Sequence, residues 1–223
     1  MAAPQFEFRD AVATEDRTGL YQAFGKRAFD VTMVILAAPA ALLILSVVLI
    51  VTWICGGTPL YGQSRIGRDG NVFRCWKVRT MVRDADAVLA RVLHSDPALA
   101  EEWLHSQKLS NDPRITRLGR FLRRTSIDEL PQLWNVLCGD MSLVGPRPFM
   151  TEQQGLYRFG RPDADYYQMR PGITGLWQVG RRNRASFAER ADYDEAYFQT
   201  LSLGTDMQIL LRTIGVVCRA TGI

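Results

Sequence analysis

Asp128 and Glu129 stand side by side in a stretch, Asn111–Phe149, that is dense in cations. Arg123 and Arg124 precede the pair, and Arg147 follows it inside a Pro146-Arg147-Pro148 turn. Two adjacent carboxylates among arginines suit a metal-bound diphosphate. Guanidinium forks match phosphate oxygens, while a carboxylate can hold a divalent ion or attack phosphorus. A structural use of the same residues competes with the chemical one. Ser126-x-x-Glu129 fits a capping box, and acidic residues at a helix start complement its dipole. The flanking prolines hold Arg147 on a stiff turn, so little ordering entropy is lost when it meets a ligand. Lys77 and Arg79 add two cations on one face of a strand, where they could equally protect a sheet edge. Arg170 opens a second stiff turn, Arg170-Pro171-Gly172-Ile173-Thr174-Gly175.

Other chemistries lack their residues. There is no GxxxxGK[ST] loop and no GxGxxG after a strand. The cysteines, Cys55, Cys75, Cys138 and Cys218, form no CxxC pair, and His94 and His105 are the only histidines. Zinc sites and disulfide frameworks are therefore not expected. Asp84-Ala85-Asp86 and Asp163-Ala164-Asp165 each spell DxD, a short pattern found in metal-dependent glycosyltransferases. Residues two apart on a helix do not face each other, which weakens the first. The net charge of +4 is too small to imply nucleic acid, and no such partner is expected.

These residues need elements to position them. From Val31 to Ser64 no residue is charged, and Val31–Ile54 is almost wholly apolar. As a helix it would measure roughly 36 Å, enough for a bilayer core of ~30 Å. A soluble core helix would carry more polar residues, and a signal peptide would not follow a 30-residue polar leader. Pro39 removes a backbone donor and disfavours helix at Ala38, so a break is expected at Ala38–Pro39. Basic residues flank both ends, Lys26 and Arg27 before, Arg65 and Arg68 after. That symmetry fits a helix that dips in and returns, and a kinked span remains an alternative. The near-zero mean hydropathy of −0.07 thus averages one membrane element and a polar domain.

Three regions follow: a polar tail over 1–19, a membrane-embedded helix over 20–57 broken at Pro39, and a catalytic domain over 58–223. Within the domain, Thr58–Met81 reads as a β-hairpin turning at Asp69-Gly70. Helical spacing runs over Val82–His94, and Asp96-Pro97 caps a second helix through Leu109. A short arginine-rich amphipathic helix surrounds Leu118, and another helix spans Asp128–Leu137. Gly139–Gly180 reads mostly as loop. Helices over Phe187–Leu201 and Thr205–Arg219 close the chain, the last with Met207, Leu210, Leu211, Ile214 and Val217 on one stripe. The fold class is α+β, mainly helical: a membrane helix, re-entrant or spanning, plus a small domain with a β-hairpin and amphipathic helices.

Several ordered motifs resemble one family. They are KRAFDV, GQSRIGRDGNVFRCWKVRTM, KLSNDPRITRLGRFLRRTSIDELPQLWNVLCGDMSLVGPRP, RPGITGLWQV and LSLGTDMQILLRTI. Over ~190 residues from Lys26 the chain resembles the bacterial sugar transferases, monotopic phosphoglycosyl transferases, and among them the short ExoY-like members. The resemblance implies a re-entrant anchor in the bacterial inner membrane and a catalytic domain facing the cytoplasm. It implies transfer of a sugar-1-phosphate from a UDP-sugar, expected to be UDP-glucose or UDP-galactose, to undecaprenyl phosphate. UMP would leave, an aspartyl-phosphosugar would form, and exopolysaccharide or O-antigen assembly would begin, passing to downstream glycosyltransferases. It assigns Asp128 as nucleophile, Glu129 as ligand of a Mg²⁺ cofactor, and Arg147 as a nucleotide or phosphate contact with Arg123 and Lys77 assisting. Arg79, Arg170, Pro146 and Pro148 complete the expected substrate-binding set. Where the family often has Ser-Pro at its helix break, this chain has Ala38-Pro39. Two other classes stay open: a DxD-type membrane-associated glycosyltransferase and a non-catalytic membrane scaffold.

Overall fold

The structure, a computed structural model, describes residues 18–55, 57–106, 109–160, 164–180 and 189–218. The expected tail lies outside these residues but for Thr18 and Gly19. A helical turn and a π-helical turn, Tyr21–Gly25, lead into one long helix, α1, Lys26–Ile54. Its apolar residues give it no soluble partner. Ile35, Leu36, Leu42, Leu43, Val47, Ile50 and Trp53 are all exposed, and only Asp30, Val34 and Thr52 are buried. It is not a core helix. It is long and apolar enough to cross a membrane. Two of its hydroxyls are turned back on its own backbone: Ser46 Oγ donates to the Leu43 carbonyl at 2.8 Å and Thr52 Oγ1 to that of Val48 at 2.8 Å. The break expected at Ala38–Pro39 does not interrupt it. Helix continues on both sides of Pro39, which removes a single backbone donor and leaves the rest of the ladder in place.

Both ends of α1 are tied to the same folded body. Near its start, Asp30 accepts from Ser142 Oγ at 2.7 Å and from the Leu143 amide at 3.1 Å, and Arg27 donates to the carbonyls of Val136 and Leu137. Lys26 Nζ meets Asp206 at 2.7 Å. Just after its end, the Thr58 carbonyl accepts from Arg79 Nε at 3.1 Å and the Pro59 carbonyl from the Arg79 amide at 2.9 Å.

The hairpin follows: β1, Leu60–Ile66, pairs antiparallel with β2, Val72–Val78. Its connection turns where the sequence predicts, with Asp69 at φ 57° and Gly70 at φ 75°. The next helix, α2, spans Ala85–Ser95, three residues later than expected. Met81 is instead bridged to Ile115, and the Val82 amide bonds the Arg114 carbonyl at 2.9 Å, which holds that segment extended. Asp96 caps α3, Pro97–Ser106, accepting from the amides of Ala98 and Leu99 at 2.9 and 3.3 Å.

Thr116 caps α4, Arg117–Arg124, by accepting from the Gly119 amide at 2.9 Å. Gly119 lies so close to β2's exit that a Cβ there would sit 2.0 Å from the Thr80 carbonyl oxygen. A 3₁₀ turn, Ile127–Glu129, and α5, Gln132–Cys138, replace the single helix expected over Asp128–Leu137. Pro131 divides them. The region read as loop contains a small parallel sheet of β3, Ser142–Val144, and β4, Gly172–Thr174, with 3₁₀ turns at Thr151–Gly160 and Asp165–Gln168. Three short helices complete the described chain: α6, Leu176–Val179, α7, Arg190–Gln199, and α8, Leu203–Cys218.

The core has three parts. Ile66 packs with an aromatic cluster in which the Phe149 and Tyr166 ring centroids are 4.5 Å apart. Val144, Met169, Tyr197, Leu201 and Ile209 pack α7 and α8 on β3. Val34, Cys75, Val136 and Met141 join α1 to β2 and α5. Of the expected α8 stripe, Met207, Leu211, Ile214 and Val217 are exposed, while Leu210 packs against the core.

Candidate active site

Three segments converge. The 3₁₀ turn supplies Asp128 and Glu129, the end of β2 supplies Lys77, and the loop after β3 supplies Arg147. The turn does not use the capping box. Ser126 adopts φ 57°, in the left-handed region, and its hydroxyl caps nothing. The chain reverses there, and the 3₁₀ bonds from Glu129 N to Ser126 O and from Leu130 N to Ile127 O, both 3.2 Å, close it. Asp128 is thereby driven inward, 8 % exposed.

Glu129 takes the cations. Its Oε1 lies 3.0 Å from Lys77 Nζ and 3.7 Å from Arg147 Nη1. Among the described residues nothing hydrogen-bonds the Asp128 carboxyl. Burial pushes that carboxyl up to about 6. Neighbouring Glu129 adds to the rise, and Lys77, Arg123 and Arg147 oppose it. A buried carboxylate with cations near but not bonded is a basic, lightly solvated nucleophile. Arg123 is held by its Nε donating to Thr80 Oγ1 at 2.9 Å, and burial lowers its pKa. The close α4–Thr80 approach that Gly119 permits makes that bond possible.

Pro146 and Pro148 hold Arg147 through their carbonyls. Gly172 N donates to Pro146 O at 2.8 Å, and Arg65 Nη1 donates to Pro148 O at 3.2 Å. Arg65 is a participant that the sequence reading missed. Burial, with Arg147 and Arg190 nearby, pushes its guanidinium down to about 10. A signal was present: Gln63 pairs with Cys75, Tyr61 with Lys77 and Arg65 with Phe73, so alternation puts Arg65 on the Lys77 face. Arg190, 5 % exposed and 6.0 Å over the Phe149 ring, was also missed and had no local signal.

Two expected binding residues lie elsewhere. Arg79 is spent on Thr58 and stacks 5.4 Å over Tyr61. Its strand has ended, so the Lys77 alternation no longer governs it. Arg170 donates to the Gly139 carbonyl at 2.8 Å and opens on a separate cleft with Lys26, Arg27 and Arg68. Of the DxD residues, Asp84 and Asp86 are exposed at the start of α2. Asp163 lies outside the described residues, and Asp165 accepts from Gln168 at 3.3 Å.

A cavity of about 280 Å³ opens beside Glu129 and Arg147, and its walls include Ile44 of α1 and Val216 and Val217 of α8. No group of three His, Cys, Asp or Glu capable of holding a metal exists among the described residues. The donors present, Glu129 and its neighbour, fit an ion such as Mg²⁺, which takes one or two carboxylates and fills its shell with substrate phosphates and water.

A buried carboxylate thus stands beside a cation-bound neighbour, and an apolar helix long enough to cross a membrane lines the cavity next to that neighbour. A model of the bacterial sugar transferases matches residues 21–220. The chain is 47 % identical over 200 residues to a UDP-galactose-lipid carrier transferase of Erwinia amylovora, covering 89 % of this chain and 41 % of that protein. It is 45 % identical over 199 residues to the exopolysaccharide production protein ExoY of Sinorhizobium fredii, covering 88 % and 87 %. It is 41 % identical over 196 residues to the UDP-glucose:undecaprenyl-phosphate glucose-1-phosphate transferase of Caulobacter vibrioides, covering 85 % and 68 %. The chain belongs to the bacterial sugar transferase family. It spans less than half of the Erwinia relative's length and most of that of ExoY.

Proposed function

We propose that the chain is a phosphoglycosyl transferase that moves a sugar-1-phosphate from a UDP-sugar to polyprenyl phosphate, with Asp128 as nucleophile. The observation that carries this reading is the division of labour in the pair. Glu129 occupies Lys77 and Arg147, while Asp128 is buried with its carboxyl free. The relatives' names supply the substrates: UDP-glucose, galactose and undecaprenyl phosphate.

An Asp128 oxygen attacks the sugar-bearing phosphorus. The bond from that phosphorus to the UMP oxygen breaks, UMP leaves with the electron pair, and an aspartyl-phosphosugar remains. An oxygen of polyprenyl phosphate then attacks the same phosphorus, and Asp128 leaves as carboxylate. Arg147 and Lys77 offset the charge repulsion that opposes anionic attack on a diphosphate. When bound at Glu129, Mg²⁺ would supply further charge neutralisation on the donor's diphosphate.

Insertion of α1 as a re-entrant element in the inner membrane, with the domain on the cytoplasmic side, would need the continuous helix to bend at Pro39; the bonding of both helix ends to one body supports that reading. The outward apolar stripe of α8 would rest in the same interface. Glucose and galactose are the proposed donor sugars. Downstream glycosyltransferases would consume the lipid-linked product.

The test is UMP release by purified protein given Mg²⁺, undecaprenyl phosphate and a panel of UDP-sugars. Release with a UDP-hexose, abolished in Asp128→Asn, is expected. Release that survives Asp128→Asn sinks the mechanism, and a DxD mechanism would instead depend on Asp84 or Asp163.

A further inference from the structure

Gln178 sits on α6 with 7 % of its surface exposed, and neither its carboxamide oxygen nor its nitrogen has a hydrogen-bond partner. A buried amide left in that state lowers stability, so such groups are rare and mark positions kept for another purpose. Gln178 lines the cavity that also contains Glu129 and Arg147.

The chemistry of that cavity selects its occupant. Ile44, Leu133, Ile173, Val216 and Val217 make its walls apolar. Thr125, Thr174 and Thr213 also line it, but their hydroxyls are engaged within the protein, so the walls offer a hexose few free partners, whereas an isoprene unit would bury its surface there. Ile44 belongs to the apolar helix, so the wall is continuous with a surface that lipid would cover. The same cavity is also lined by a cation, Arg147, beside Glu129. A ligand that is hydrocarbon at one end and anionic at the other matches both.

We propose that this cavity is the acceptor subsite, which takes the first isoprene of polyprenyl phosphate between α1 and α8, and that the Gln178 side-chain N–H donates to the acceptor's phosphate. The inference rests on the transferase reading above and adds the residue and walls that meet the lipid substrate. With Arg147, Gln178 orients a phosphate oxygen toward the aspartyl-phosphosugar. That oxygen bonds to phosphorus, the phosphorus–Asp128 oxygen bond breaks, and the electron pair returns to the carboxylate without need of a proton.

The two half-reactions separate this proposal from its alternatives. Exchange of labelled UMP into UDP-sugar needs no acceptor, whereas full turnover does. Gln178→Leu should raise the KM for undecaprenyl phosphate about tenfold, as expected for one hydrogen bond to a charged group. UMP exchange should be unchanged, and the thermal midpoint should not fall. Ile44→Trp, which fills the cavity from the membrane side, should give the same acceptor-only defect. An unchanged acceptor KM in both variants overturns the proposal, as does a fall in UMP exchange matching the fall in turnover, which would assign Gln178 to the donor. Wild-type protein with no UMP exchange on any UDP-sugar would instead remove the transferase reading itself.

Discussion

Lys77 Nζ lies 3.0 Å from Glu129 Oε1, so the hairpin's last cation is committed to the carboxylate beside Asp128. The pairing gives Glu129 a fixed charge partner and keeps a positive potential over Asp128 without bonding it. Replacing Lys77 by Met should lower UMP release about 10- to 100-fold. It should also shift the acid limb of the pH–rate profile upward, because a cation that holds the Asp128 carboxyl down is gone. Steady-state rates from pH 5 to 9 check both.

The burial of Asp128 has a stability cost with a defined pH window. Its carboxyl titrates at about 6 in the folded protein and at ~3.9 when unfolded. Between those values the folded state keeps a proton that the unfolded state releases, so stability falls as pH rises through the window. At pH 7.5 the whole cost is present, about 3 kcal/mol at ~1.4 kcal/mol per unit. Asp128→Asn should therefore be more stable than wild type at pH 7.5, with the gap closing by pH 4. Urea unfolding in detergent with EDTA, so that no metal contributes, measures it.

Gly119 sets how closely α4 approaches Thr80. A methyl group 2.0 Å from the Thr80 carbonyl oxygen cannot be accommodated without moving the helix. Gly119→Ala should cost about 3 kcal/mol, read as a lowered thermal midpoint. It should also reduce activity, since the Thr80–Arg123 bond spans the same contact.

The membrane topology can be read with thiols. Cys55 is exposed at the end of α1, and Gly19 is exposed before its start. In a background lacking the other cysteines, Cys55 and a Gly19→Cys substitution should both react with an impermeant maleimide in inverted membrane vesicles. Both should be protected in intact spheroplasts. Labelling of the two from opposite sides would establish a spanning helix.

Much of this was legible in local pattern. The hairpin turn followed from Asp69-Gly70, the α3 cap from Asp96-Pro97, and the apolar helix from an uncharged run. What escaped depends on distant partners. Strands β3 and β4 are three residues each with 27 residues between them, so no periodicity announces them. Ser126 matched a capping box by spacing, yet Pro131 and the turn before it required a reversed backbone. Arg170 and Arg79 share composition with the site residues but are drawn to carbonyls of Gly139 and Thr58. Arg190 reaches the site's surroundings only because α7 folds back on the aromatic cluster.

Asp206 of α8, wholly buried, accepts from Lys26 Nζ and Tyr21 OH at 2.7 Å each and from Tyr197 OH at 2.6 Å. Lys26 and Asp206 are 180 residues apart. At ~5–20 residues per second, a ribosome needs roughly 10–40 s to make that interval. Throughout that time the apolar helix has been made while its counter-ion has not. Lys26 must wait among lipid headgroups or water until α8 emerges. The clasp is thus the last of the contacts on α1 to form, since a nascent chain truncated before α8 already holds the Asp30 and Arg27 bonds but leaves Lys26 without its counter-ion.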